Sequence, residues 1–313
     1  MNLKPTILVS QNKTIFQTWF LEKILLEYFN VEILDTNKNY DKRSTVVVSN
    51  WIDVNQSSNS NECVLANKGI RHVIDHCWDS WDSSLDNSAD FIIRPVDFMW
   101  INESLWYKSL GYNKLDLTSN PTRDFLLLMH KKRDFRTKLY NSLKPVLSNN
   151  IYSYVEKGIP LQNAQDIEYN EYQWQRYTDP QWYTDTRFSV VSESDINKNH
   201  EITVTEKTLK PCAFKHPSII WGQSGTLDWQ KRQGFETFEH CIDESYDTIE
   251  DEDARFVKVI EQIKYCIKDK IIFNDKLTKQ KLQHNYNHFY NEEIVMNLFR
   301  EQIINPLLEF INA

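Results

Sequence analysis

The stretch Ile202-Thr-Val-Thr-Glu-Lys-Thr-Leu-Lys-Pro211 decides how this chain is read. A strand-like run, Ile202 to Val204, stops at Thr205, and a charged pair, Glu206 and Lys207, stands where a helix would begin. Thr205 suits an N-cap, because its hydroxyl can accept a backbone N–H of the first turn. A helix N-terminus offers free N–H groups and the positive end of the helix dipole, and together these attract phosphate. Lys207 adds a point charge for a diphosphate, and Glu206 can accept hydrogen bonds from ribose hydroxyls. A plainer reading stands beside this one. Glutamate in a first turn complements any helix dipole, and lysine is ordinarily solvated. Pro211 also limits the regularity of the helix. Taken alone, the stretch favours the plainer reading, so its neighbours have to decide.

The apolar run in FSVVSES (188–194) reads as a buried strand, and Glu193 lies at its carboxyl edge. HPSIIWG (216–222) reads as the next strand, with a helix starting near Thr226. In open parallel sheets ligands bind outside the carboxyl ends of the strands. Two acids and a lysine converging on one such edge are harder to explain as surface turns. Upstream, strand DFLLLMH (124–130) leads into helix DFRTKLYNSLKPVL (134–147), where Arg136, Leu139, Tyr140 and Leu143 recur at helical spacing. Arg136 lies in the first turns, against the dipole preference, which suits a residue aimed at an anion. Strand NIYSYV (150–155) follows, then a polar, aromatic-rich insertion over 164–187 with Tyr172, Trp174, Tyr177, Trp182 and Tyr183. Its rings fit sugar or base stacking and a satellite core about equally well.

The N-terminal part repeats the alternation. TILVSQ (6–11), VEIL (31–34), STVVVSNW (44–51), RHVIDH (71–76) and DFIIRP (90–95) read as strands, and 15–29 as an amphipathic helix. The polar segment 115–123 separates the halves, and 252–270 and 274–310 read as helical. The expected architecture is therefore α/β, with two Rossmann-like domains facing each other across a cleft and C-terminal helices packing back. The expected boundaries are 1–118, 119–285, and a C-terminal helix over 286–313 that crosses back to the first domain.

Three segments in order resemble the donor-binding half of the α1,3-fucosyltransferases, a GT-B family. They are Arg136-Thr-Lys-Leu-Tyr140-Asn-Ser-Leu143, then Ser192-Glu193-Ser194, then Val204-Thr205-Glu206-Lys207, ahead of Pro217-Ser-Ile-Ile-Trp-Gly222. The likeness covers residues 124 to 225. It implies that Arg136 and Lys207 hold a donor diphosphate, that Glu206 holds the ribose, and that Glu193 lines the donor-sugar pocket, with Ser194 and Thr205 alongside. Ser194 stands where the family has Asn, and Thr203 where an aromatic residue often precedes Thr-Glu-Lys; both bear on the identity of the sugar. The resemblance further implies an inverting, metal-independent transfer of a fucose-like sugar, with a purine nucleotide (GDP) as carrier, to a glycan hydroxyl. The base would come from the N-terminal domain, where Asp75, His76 and Asp79 are candidates and Glu103 a weaker one. Capping or solvation explains each of these side chains equally simply.

Bulk properties narrow the alternatives. At 313 residues the chain has room for two domains. A net charge of −8 disfavours nucleic acid as the main partner, although a transferase acting on a modified DNA base stays open. Five dispersed cysteines without a CxxC pair read as reduced, packed thiols. No long apolar window suggests a membrane span, and the N-terminus lacks the pattern of a signal peptide, so a cytoplasmic chain is expected. No GxGxxG motif points to a nicotinamide cofactor. Asp251-Glu252-Asp253 imitates a metal-binding DxD, but it opens a helix, where acids belong. Neither a cofactor nor a metal is expected. The rival from another class is a non-catalytic nucleotide-sugar or glycan-binding protein of the same fold.

Overall fold

The computed structural model describes residues 4–9, 25–33, 35, 37–50, 70–75, 90–93, 97–118, 120–159, 178–197, 202–269 and 273–313. These residues divide into two compact units. One comprises Met1–Ser109 with Glu292–Ala313, the other Leu110–Asn291. It is a mixed α/β, GT-B-like arrangement in which each unit is built on a parallel sheet.

In the first unit, strands β1 (Thr6–Val9), β2 (Asn30–Ile33), β3 (Thr45–Asn50), β4 (Arg71–Asp75) and β5 (Phe91–Ile93) lie in the order β2-β1-β3-β4-β5. All four pairings are parallel, with Ile7 opposite Val31 and Val46. The β-branched residues Ile7, Val46, Val47, Val48 and Val73 are buried, as parallel strands covered on both faces require. Of the helix expected over 15–29, residues 25–28 are helical and Phe29 follows them in a bend, with Leu25 and Phe29 buried; residues 15–24 lie outside the described residues. Helix α1 (Phe98–Ser109) was not anticipated, because buried Asn102, Glu103 and Ser104 interrupt its apolar pattern.

The second unit carries β6 (Arg123–Met129), α2 (Asp134–Leu143), β7 (Ile151–Tyr154), α3 (Pro180–Asp185), β8 (Thr186–Ser192), α4 (Glu206–Ala213), β9 (Ser218–Trp221), α5 (Thr226–Arg232), α6 (Glu252–Lys268) and α7 (Lys276–Phe289). Its sheet runs β7-β6-β8-β9, again all parallel. The chain leaves β6 towards β7 on one side and later returns to β8 on the other. That reversal makes the carboxyl ends of β6 and β8 the topological switch point of the sheet. Phe125, Leu127, Phe188, Val190, Ile219 and Trp221 form the core with Leu139 and Leu143 of α2 and Phe256, Val259 and Ile263 of α6.

Two expectations are corrected. Residues 202–204 are not a strand: they are extended but carry no ladder pairing with β7, β6, β8 or β9. The Thr203 N–H donates to the Gln223 side chain instead, and the N–H of Thr205, which follows the segment, to Glu193. The expected helix over 274–310 is broken. Helix α7 ends at Phe289, and α8 (Glu292–Phe299), a π-helical turn (Arg300–Ile304) and α9 (Asn305–Asn312) follow. Pro306 cannot donate to the carbonyl of Gln302, and the wider π turn accommodates it. Within the first unit, Arg71 donates to the Phe310 and Ile311 carbonyls at the end of α9, and the Phe91 ring stacks on Phe310 at 4.9 Å.

Candidate functional site

The switch point of the second sheet gathers the residues singled out by the sequence. Helix α4 begins at Glu206 with Thr205 in extended conformation as its N-cap, and the Thr205 hydroxyl accepts from the Lys207 N–H at 3.5 Å. The Lys207 ammonium donates to Ser194 Oγ at 3.1 Å and Thr205 Oγ1 at 3.0 Å, and pairs with Glu206 Oε1 at 2.9 Å. Burial pushes the Glu206 carboxyl up, but Lys207 and Lys210 outweigh it and hold the group down at about 2. Glu206 is therefore a carboxylate at any ordinary pH.

Arg136 sits in the first turn of α2, 3% exposed. Its Nη2 donates to the Glu193 carbonyl at 2.8 Å and, at 3.4 Å, to that of Ser192; Nη1 reaches the Lys131 carbonyl at 3.4 Å. Its Nε has no hydrogen-bond partner among the described residues. Burial and neighbouring Arg133 lower the pKa of Arg136, while Glu193 and Glu206 oppose them. His130, at the carboxyl end of β6, has its pKa lowered by burial and, against Glu156, by Lys131, Arg136 and Lys207.

Glu193 departs from the expected role. It is 0% exposed, and both oxygens are occupied. Oε1 accepts from Thr205 N, Thr208 N and Thr208 Oγ1, and Oε2 from Ser194 N and Thr205 Oγ1. A carboxylate offers about four lone-pair sites, so none is left for a sugar hydroxyl. Arg133 was missed by the sequence reading. It precedes α2 at the N-cap position and donates through Nη1 to the Ser194 carbonyl. The basic run Lys131-Lys132-Arg133, placed directly after a strand, was the available signal.

Of the base candidates, Asp75 ends β4, and its side chain lies outside the described residues, as do His76 and Asp79. Glu103 is buried on α1, where it accepts from Asn102 Nδ2 at 3.2 Å. Tyr172, Trp174 and Tyr177 also lie outside the described residues. Trp182 and Tyr183 are buried in α3, with the Tyr183 ring stacked on Phe214 at 4.5 Å, so these two are core. Asp251 caps α6 by accepting from the Ala254 N–H at 2.8 Å. Cys212 is buried, and its thiol is pushed up to about 12, which removes it as a nucleophile. Among the described residues no three His, Cys, Asp or Glu side chains are grouped as a metal site needs, and no helix is long and apolar enough to cross a membrane.

This geometry can be set beside known proteins. The chain is similar to a crystal structure of an α1,3-fucosyltransferase, with a TM-score of 0.52 over 96% of this chain and 90% of that one, at 12% identity. The fold is fucosyltransferase-like. No protein-family model matches the chain, and no curated protein matches it in sequence. At 12% identity the likeness extends to the backbone arrangement alone.

Proposed function

We propose that this protein is a glycosyltransferase that takes a sugar from a nucleotide diphosphate and delivers it to a glycan hydroxyl. The observation that carries the reading is Arg136, buried at the switch point with an Nε that has no hydrogen-bond partner among the described residues, and near enough to His130 that it and Lys207 both lower that group's pKa. A buried guanidinium with an unused donor is costly unless an acceptor arrives, and a diphosphate supplies charged acceptor oxygens. Switch points of parallel sheets are where such ligands lie.

In this reading Arg136 and Lys207 hold the diphosphate and stabilise the charge that develops as the glycosidic bond breaks. Glu206, permanently ionised, accepts from the ribose hydroxyls, and Ser194 and Thr205 orient the Lys207 ammonium. The donor is read as GDP-linked and fucose-like, and the transfer as inverting and independent of metal. Asp75, His76 and Asp79 are the candidates for the base that takes the acceptor proton. Calorimetric titration with GDP, UDP, ADP, CMP and NAD, with Lys207→Ala as control, tests the site. Binding of one diphosphate nucleotide that is lost in the variant supports the reading, and no binding to any of them ends it. Binding without turnover on any glycan acceptor would identify a non-catalytic nucleotide-sugar protein instead, and salt-dependent retention on DNA would redirect the acceptor to a nucleic acid.

A further inference from the structure

We infer that Glu193 is a positioning residue: its carboxylate ties the end of β8 to the first turn of α4 and so sets where Lys207 and Arg136 present their charges. The role of those two cations rests on the function proposed above; the tie itself rests on geometry alone. The carboxylate is 0% exposed and faces the Thr205–Thr208 turn. It takes the backbone N–H groups of Thr205 and Thr208, both of their hydroxyls, and the N–H of Ser194. Thr205 and Ser194 are the residues whose hydroxyls in turn receive the Lys207 ammonium. The carbonyl of Glu193 receives Arg136 Nη2 at 2.8 Å. One residue thus holds the cations of two different helices, α4 through its side chain and α2 through its backbone.

Other side chains fit this position less well. All five of its partners are donors, so only a group that accepts on both oxygens satisfies them. An amide would turn an N–H₂ towards a donor, and an unpaired buried donor is expensive. Gly222 lies alongside, where an added Cβ would meet Glu193 Cγ at 3.5 Å and Thr226 Oγ1 at 2.9 Å. A side chain at Gly222 would therefore crowd Thr226 and touch Glu193, so glycine there leaves the carboxylate its place against the turn.

The experiment is amide hydrogen exchange on wild type, Glu193→Gln and Thr208→Val, followed by calorimetry with GDP. The proposal expects faster exchange at Thr205 and Thr208 in both variants, with the β6 amides Leu126–Leu128 unchanged. Uniformly faster exchange throughout Leu110–Asn291, or no change at the turn, would overturn it. Exchange decides the tie whether or not any nucleotide binds; absence of GDP binding to the wild type counts against the proposed function instead. Where GDP binds, Glu193→Gln should weaken it about tenfold, and Glu193→Gln combined with Lys207→Ala should bind no worse than Lys207→Ala alone. Losses that simply multiply in the double variant would show that Glu193 does not act through Lys207. Thr208→Val keeps the test open if Glu193→Gln does not fold.

Discussion

Two buried arginines near the carboxyl edge of the second sheet share an environment and differ in completeness. Arg255, 2% exposed on α6, donates Nε to Gly222 at 3.1 Å, Nη1 to Ile249 at 2.7 Å and Glu250 at 3.1 Å, and Nη2 to Ile196 at 2.8 Å, all backbone carbonyls. Its guanidinium also lies over the Trp221 ring at 5.4 Å. Arg136 has comparable burial, but two of its three contacts are 3.4 Å long and its Nε has no partner. Burial is the leading cause of a lowered pKa in both. Arg255 recovers that cost inside the fold and braces the loops after β8 and β9. Arg136 recovers it only in part, and the remainder is available to a ligand.

The comparison breaks most visibly if Arg255→Ala is tolerated. The substitution strands four carbonyl groups, and we expect a loss of about 3 kcal/mol or more, read as a fall in Tm of about 10 °C. Arg136→Ala should cost little stability, because few strong contacts are lost, yet weaken the diphosphate nucleotide about a hundredfold by calorimetry. If the two variants behave alike in both assays, the distinction between brace and binding group fails. Lys207→Ala should weaken the same ligand about tenfold and lower Tm by a few degrees, since its loss leaves the buried Glu206 carboxylate without its ion-pair partner. Acid should produce the smallest effect. The folded pKa of Glu206, about 2, lies below its ordinary 4.5, so its stabilising contribution is complete above the higher value and drains away as pH falls towards the lower. Between pH 4.5 and 2, Tm of the wild type should therefore drop a few degrees more than that of Glu206→Gln.

The strands of both units were readable because runs such as Thr45–Asn50 and Ser218–Trp221 are β-branched or aromatic and bounded by polar turns. Thr205 was readable as a cap because threonine before a charged first turn has few other uses. Helix α1 was not, because Asn102 and Glu103 are buried against their polarity. The extended segment 202–204 reads as a strand because its alternation matches one; only the structure shows that the Thr203 N–H goes to the Gln223 side chain and not to a ladder. Arg133 and Arg136 were similarly ambiguous in sequence, both being arginines in a basic run after β6.

The most consequential difference concerns the four charged residues at the carboxyl edge of the second sheet. Residue type and spacing were enough to place Arg136, Glu193 and the Glu206-Lys207 pair near one sheet edge, because hydrophobic periodicity dictates which segments are strands and which end carries the loops. Which of them are free to meet a ligand was settled only by tertiary structure. Hydrogen-bond capacity is local and finite: the carboxylate of Glu193 is filled by partners up to fifteen residues away, while Arg136, in a site of equal burial, keeps a donor in hand.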